Sequence, residues 1–166
     1  MKKLWLLSLM LASAVSFAGK GTAAVLEGPF PLLVTPWTEK AELDVPVLVK
    51  EAEFLERAGV GGIIWPTAGE VGALDRTGEY EAGLQALAER AVKSGAEFNA
   101  RLTAICPGKT SAEAVARVKK VEAVAKRTGA KMAILARPPD DATDQAMIAA
   151  HYRALAKETT LPVIIQ

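Results

Sequence analysis

The clearest chemical signal in the sequence is a short polar turn that follows an apolar run. The run Ile63-Ile64-Trp65-Pro66 leads directly into Thr67-Ala68-Gly69-Glu70. A buried parallel strand has a continuous apolar sequence, and α/β proteins bind ligands in the loops at the carboxyl ends of such strands. Thr67 supplies a hydroxyl, Gly69 lets backbone N–H groups approach a ligand closely, and Glu70 supplies a carboxylate. The turn is therefore a candidate ligand-binding loop, although a helix-capping turn without a ligand would use the same residue types.

A second strand end of the same kind lies about one βα unit upstream. There the apolar run Leu32-Leu33-Val34 is followed by Thr35 and Pro36. The motif at the first turn is short enough to occur by chance. The presence of two such strand ends at this spacing is what gives it weight.

Strands and helices are predicted to alternate after residue 28, with a period of roughly 30 residues. The predicted strands are 31–35, 62–66, 99–105, 131–136 and 162–165, and the predicted helices are 45–58, 78–94, 111–128 and 145–158. This alternation implies right-handed βαβ units and a parallel sheet. A doubly wound sheet is the generic alternative, but its dinucleotide-binding form is disfavoured because no Gly-x-Gly-x-x-Gly turn follows the first strand.

Composition excludes several classes of function. The net charge is +1 and acidic and basic residues are interspersed, whereas nucleic-acid binding requires a basic stripe. With one cysteine and one histidine, the chain has no internal disulfide and no metal centre of the Cys/His type. Cys106 ends a predicted strand, which favours a buried structural thiol over a nucleophile. His151 stands on a predicted helix and is interpreted as a surface or helix-packing residue.

The N-terminus has the pattern of a signal peptide. Met1-Lys2-Lys3 is followed by the apolar segment 4–14, which is too short for a transmembrane helix of about 20 residues. Ser16-Phe17-Ala18 fits a cleavage site, and a second site precedes Ala24. We therefore expect residues 1–24 to be a signal peptide and short linker, and the mature protein to be exported, to the periplasm or the medium, without a stable membrane span. An uncleaved anchor and a misassigned start codon are the alternatives.

The strand ends and the turns between them resemble the dihydrodipicolinate synthase / N-acetylneuraminate lyase family of Schiff-base aldolases, which are (β/α)8 barrels. Four segments match the family's pattern: Val34-Thr35-Pro36-Trp37, Glu56 to Gly62, Pro66 to Glu70, and Leu161 to Ile165. A complete barrel of this kind takes about 250 residues. Residues 25–166 are therefore predicted to form an incomplete, N-terminal part of a (β/α)8 TIM barrel, with about five strands and four helices, from a longer protein.

The resemblance also implies roles for individual residues. Thr67 matches the threonine whose hydroxyl helps relay a proton, and Gln166 stands where the family has an acid/base tyrosine, so these two are the predicted catalytic positions. Ala68 keeps the backbone N–H that would bind a keto-acid carboxylate but lacks the hydroxyl. A glutamine cannot act as a general acid, which indicates altered chemistry. The predicted substrate-binding residues are Thr35, Ala68, Gly69 and Glu70.

The family's Schiff-base lysine lies on a sixth strand, which this sequence does not reach. Lys109, in a turn, and Lys131, at the start of a strand, are both interpreted as solvated. Gly108-Lys109-Thr110 is not a phosphate loop, because Thr103 stands where that motif requires glycine.

The leading hypothesis is a lyase or aldolase acting on a pyruvate-like 2-keto acid through a Schiff base in the full-length protein, without a cofactor or metal. By analogy with the family, the protein could assemble as a homo-oligomer. The alternative is a non-catalytic, exported relative that binds a carbohydrate or an acid, or an inert truncated fragment.

Overall fold

A parallel β-sheet forms the centre of the part of the protein that the structure, a computed structural model, describes: residues 27–95 and 102–166. Its strands are β1 (Ile63–Trp65), β2 (Leu102–Ile105), β3 (Met132–Ala136) and β4 (Val163–Ile165), in that spatial order. The register places Trp65 opposite Ala104, Ala104 opposite Ile134, and Ile134 opposite Val163. All carboxyl ends of the strands therefore lie at one edge of the sheet.

Five helices are present in the described ranges: α1 (Val45–Arg57), α2 (Ala68–Thr77), α3 (Glu79–Ser94), α4 (Ser111–Thr128) and α5 (Gln145–Glu158). Helix α3 packs against α1, α2 and α4, and α4 packs against α5. The core lies between these helices and the sheet, and it includes the fully buried Leu48, Leu84, Val118 and Leu155. None of the helices in the described ranges has the length and apolarity needed to cross a membrane.

The predicted first strand is reduced to a single parallel bridge. Leu32 pairs with Ile64, the Leu33 N–H donates to the Ile64 carbonyl at 2.9 Å, and the Ile64 N–H donates to the Pro31 carbonyl at 3.0 Å. This segment extends the sheet beyond β1 as a fifth parallel element, although it is too short to be a regular strand. The predicted signal peptide and residues 99–101 of the predicted third strand lie outside the described residues.

The prediction of four helices was one too few. Residues 68–77 form α2, although 68–70 were predicted to be a polar turn and 71–77 were assigned to no element; Gly78, in a left-handed conformation (φ 79°), separates α2 from α3. The other helix boundaries follow local signals. The Asp44 carboxylate accepts the Val47 N–H at 3.1 Å where α1 begins, and Gly129 ends α4 with φ 75°.

The two faces of the sheet differ in their surroundings. Trp65 points toward the helices, where its ring lies 6.4 Å from the ring of Tyr80 and leaves no room for a side chain at Gly83. Because successive side chains alternate, Ile64 and its register partner Thr103 point to the opposite face. In a closed barrel that face would be the interior, and the described strands would form one continuous part of the wall.

Candidate active site at the carboxyl ends of the strands

The Glu70 carboxylate joins the ends of two neighbouring sheet segments. One of its oxygens, Oε2, accepts the Thr67 N–H at 2.9 Å and the Thr67 hydroxyl at 2.7 Å. The other oxygen, Oε1, accepts the Thr35 N–H at 3.4 Å. Three of the predicted site residues, from two strand ends, are thus brought together. Both oxygens of Glu70 are occupied by these contacts, so Glu70 orients Thr67 by holding its hydroxyl.

These contacts are also those of a helix cap. Thr67 is the N-cap residue of α2 and has an extended backbone, and Glu70 is the third residue of the helix. A carboxylate at this position is stabilising because it satisfies an N–H donor and lies at the positive end of the helix dipole. The helix-capping interpretation is therefore confirmed as a structural role, and it leaves the oxygen lone pairs of Thr67 able to accept a hydrogen bond from a ligand.

The Thr35 side chain stabilises the strand end that leads into the Thr67 loop. It is buried, with a relative exposure of 2%, and its hydroxyl oxygen accepts the indole N–H of Trp65 at 3.2 Å. Trp65 immediately precedes the Pro66-Thr67 turn. The Thr35 side chain is therefore directed into the protein, where it fixes the strand end that carries Thr67.

Gly69 faces open space, whereas the neighbouring Ala68 is half-buried and packs against the core. Gly69 is exposed, and a Cβ built on it would contact nothing within 4 Å. Both residues line a cleft of about 200 Å³, whose other side is formed by the loop between β2 and α4. The cleft is also lined by Gly72, Pro107, Gly108, Lys109, Glu113, Arg117 and Asp140. A small ligand could thus reach the first turn of α2 from this side.

Gln166 is anchored through its backbone at the end of β4. Its N–H donates to the Ala136 carbonyl at 3.0 Å, and its carbonyl accepts the Tyr152 hydroxyl at 3.3 Å. The residue is exposed, and β2 and β3 separate β4 from β1. The structure therefore places Gln166 at the same edge of the sheet as Thr67 but does not bring the two side chains into contact.

Two polar side chains from the sequence analysis, Cys106 and His151, have structural roles. Cys106 is buried, and burial raises the pKa of its thiol to about 12, so the interpretation of Cys106 as a structural thiol is confirmed. The neighbouring Tyr80 hydroxyl donates to the Ile105 carbonyl at 2.8 Å. His151 is buried between α4 and α5, with Nδ1 at 2.9 Å from the Ser111 hydroxyl, and burial lowers its pKa. It is a helix-packing residue.

No lysine in the described ranges is buried. Lys109 and Lys131 are exposed, as predicted, and Lys120 is half-exposed with its ammonium on the Asp75 carboxylate. A Schiff-base lysine must be desolvated or placed beside another cation for its amine to be neutral near pH 7. None of the described lysines has such surroundings. Nor do three His, Cys, Asp or Glu side chains gather within these ranges in a way that could hold a metal ion.

Sequence reasoning missed an ionic cluster beside the cleft. Asp75 of α2 lies 3.3 Å from the guanidinium of Arg117 on α4 and also contacts Lys120. No local pattern could have shown this cluster, because the partners are far apart in the sequence and meet only when the two helices pack.

Known proteins share both the sequence pattern and the fold. No family model matches the sequence. A curated 4-hydroxy-tetrahydrodipicolinate synthase from Methanococcoides burtonii is 28% identical over 142 residues, which are 85% of this chain and 45% of that protein. The solved dihydrodipicolinate synthase of Aquifex aeolicus is 28% identical with a TM-score of 0.67, over 83% of this chain and 44% of its own.

Two further solved structures share the fold at lower identity. A prophage protein of the dihydrodipicolinic acid synthase family from E. coli K12, in complex with pyruvate, is 20% identical with a TM-score of 0.68 over 86% of this chain and 45% of its own. The N-acetylneuraminate lyase of Mycoplasma synoviae is 23% identical with a TM-score of 0.65 over 84% and 45%.

These comparisons establish the architecture of the chain and the group of proteins that it resembles. The described elements are an incomplete (β/α)8 barrel. The chain spans about half the length of the proteins it matches. The resemblance to the dihydrodipicolinate synthase / N-acetylneuraminate lyase family, which the motifs indicate, is confirmed for the N-terminal part of those proteins.

Proposed function

We propose that this chain is the N-terminal part of an aldolase-type lyase that acts on a pyruvate-like 2-keto acid through a Schiff base. Support comes from the similarity to a dihydrodipicolinate synthase and from a structural relative that was solved with pyruvate. Because the chain spans less than half of these relatives, the activity is proposed for a longer protein that contains the remaining strands.

The observation that carries the proposal is the hydrogen bonding of Thr67. Its hydroxyl lies 2.7 Å from Glu70, at the strand edge where barrel enzymes bind substrate. In this role, the Thr67 oxygen accepts a proton from the bound substrate while its own hydroxyl proton passes to the Glu70 carboxylate. The N–H groups of Ala68 and Gly69, which line the cleft, would bind the carboxylate of the keto acid.

The missing nucleophile defines the first experiment. Pyruvate followed by borohydride should leave no stable adduct on this chain, because each described lysine is solvated. A longer protein that includes the coding sequence after Gln166 should be labelled on one lysine of the added region. A stoichiometric adduct on Lys109 would contradict the proposal. A longer protein that carries no such lysine would favour the alternative of a non-catalytic relative.

The role of Thr67 is tested by removing its hydroxyl in that longer protein. Thr67→Val keeps the volume and should lower the rate by about 10²–10⁴-fold, the usual contribution of a positioned acid–base group. Thr110→Val is the matched control, because Thr110 caps α4 at the same edge through its hydroxyl and the Glu113 N–H at 3.3 Å. Wild-type turnover in Thr67→Val would leave Thr67 only its capping role.

A further inference from the structure

Arg117 connects separate parts of the strand edge that bears Thr67. From α4, its Nη1 donates to the Pro107 carbonyl at 2.5 Å, and its Nε lies 3.3 Å from the Asp75 carboxylate on α2. The side chain is mostly buried, with a relative exposure of 14%. Helix α2 begins immediately after Thr67, and Pro107 begins the loop on the other side of the cleft. One guanidinium therefore connects the last turn of α2, the helix whose first turn forms one wall of the cleft, to the loop that forms the other wall.

The loop that Arg117 holds is fixed on its other sides as well. Glu113, 3.8 Å from Nη1 of Arg117, accepts the Lys109 N–H at 3.0 Å. The loop after β3 adds two contacts, in which the Asp140 N–H donates to the Gly108 carbonyl at 3.2 Å and the Asp141 N–H donates to the Lys109 carbonyl at 3.0 Å. The loop after β2 is thus the middle of a continuous chain of contacts from α2 to the loop between β3 and α5.

Close packing makes this loop sensitive to displacement. A Cβ at Gly108 would lie 2.6 Å from the Ala114 nitrogen and 2.6 Å from the Thr110 carbonyl oxygen. The loop therefore has no free space toward α4 at Gly108. If the bond to Pro107 is lost, the start of the loop loses one of its two hydrogen bonds to side chains of α4, and only the Glu113 bond to the Lys109 N–H remains.

We infer that Arg117 is a positioning residue that sets the width of the cleft between the first turn of α2 and the β2–α4 loop, and thereby the access of a keto acid to Thr67. The effect on keto-acid access rests on the proposed function, whereas the effect on the cleft width follows from the contacts of Arg117 alone.

The chain offers a matched control for the loss of Arg117. Arg90 on α3 also pairs with two groups of a neighbouring helix, Glu53 and Glu56 of α1, at 2.8 Å each and with a relative exposure of 23%. It lies near the end of its helix, on the side of the barrel away from Thr67, because the helices begin where the strands end. Arg90→Gln therefore removes a comparable ion pair without touching the cleft.

Hydrogen exchange followed by mass spectrometry tests the geometry. Arg117→Gln should speed exchange about tenfold in peptides covering 67–77 and 106–113, as expected for one member of a coupled network. Arg90→Gln should leave these peptides unchanged, and Arg117→Lys should lie between, because lysine keeps the charge but not the forked donor. Unchanged exchange in Arg117→Gln, or the same change in both glutamine variants, would overturn the inference.

The affinity for pyruvate, measured on the longer protein that includes the coding sequence after Gln166, then tests the functional part. If Arg117 sets the cleft width, Arg117→Gln should raise the dissociation constant of pyruvate about tenfold, while Arg90→Gln should not. Equal affinity in both variants would overturn the statement about access. Wild-type protein that binds no pyruvate would contradict the proposed function, and the exchange comparison would still decide the positioning role.

Discussion

Replacing Glu70 by glutamine is expected to loosen the Thr67 loop while leaving the rest of the fold intact. Glu70 accepts two short hydrogen bonds from Thr67, at 2.9 Å and 2.7 Å. Bonds to a charged group are worth about 1.5–3 kcal/mol each, and neutral bonds about half as much. The contact with the Thr35 N–H is long, at 3.4 Å, and adds little.

The expected cost of Glu70→Gln follows from these contacts. The glutamine carbonyl still accepts, so only about half of the energy of two bonds is lost, together with the favourable interaction of the charge with the dipole of α2, which is about 0.3–1 kcal/mol. The free energy of unfolding should fall by about 2–4 kcal/mol. For a chain of this size, that corresponds to a drop in Tm of about 4–16 °C.

Thermal unfolding measured by circular dichroism provides the assay. Asp144→Asn is the matched control, because Asp144 caps α5 by accepting the Met147 N–H at 2.8 Å but contacts no second strand end. It should cost less than Glu70→Gln. A Glu70→Gln protein as stable as the Asp144→Asn protein would refute the reasoning that Glu70 holds Thr67 through two hydrogen bonds to its charged carboxylate.

Three further predictions concern other parts of the chain. Burial lowers the pKa of His151, the single histidine, so the unfolded chain takes up a proton at a pH where the folded protein does not. The free energy of unfolding should therefore fall as the pH drops below about 6.5. In denaturant titrations at about pH 7.5 and about pH 5.5, His151→Gln should reduce the difference between the two free energies. An equal difference in both proteins would contradict this. Mass spectrometry of protein recovered from the producing cell should show a chain that begins near Gly19 or Ala24, and an intact Met1 on mature protein would refute export by signal cleavage. The chain alone should be oligomeric or poorly soluble, because Val34 and Ile165 at the two sheet edges are 68% and 63% exposed and burial of such side chains is worth about 1.5–3 kcal/mol each. Light scattering that shows a uniform, soluble monomer would contradict this.

The strands and most helices could be predicted from the sequence because each depends on neighbouring residues. The apolar run before Pro66 became β1, and Gly129 ended α4 as its position indicated. Helix α2 was not predicted, since Gly69 and Gly72 lower helix propensity by about 1 kcal/mol each. The spacing of Thr67 and Glu70 is nevertheless that of a capping box, and this signal could have found the helix.

The site was predicted only in part, because its decisive contacts are long-range. The sequence placed Thr35 and Glu70 in neighbouring loops, but it did not show that the Glu70 carboxylate would turn toward the Thr35 N–H or that Trp65 would bond to the Thr35 hydroxyl. The contacts of Arg117 with Asp75 and Pro107 likewise exist only after α2 and α4 have packed together. Whether Gln166 takes part in catalysis stays a prediction.

The most direct test of the central claim is hydrogen exchange of the longer protein that includes the coding sequence after Gln166, with and without pyruvate. A keto acid bound at the strand edge should slow exchange in the peptide covering 66–72, through the N–H groups of Ala68 and Gly69, and in the loop 106–110 across the cleft. Acetate at the same concentration, which lacks the keto group, should give less protection. Protection confined to other peptides, or none at saturating pyruvate, would contradict the account.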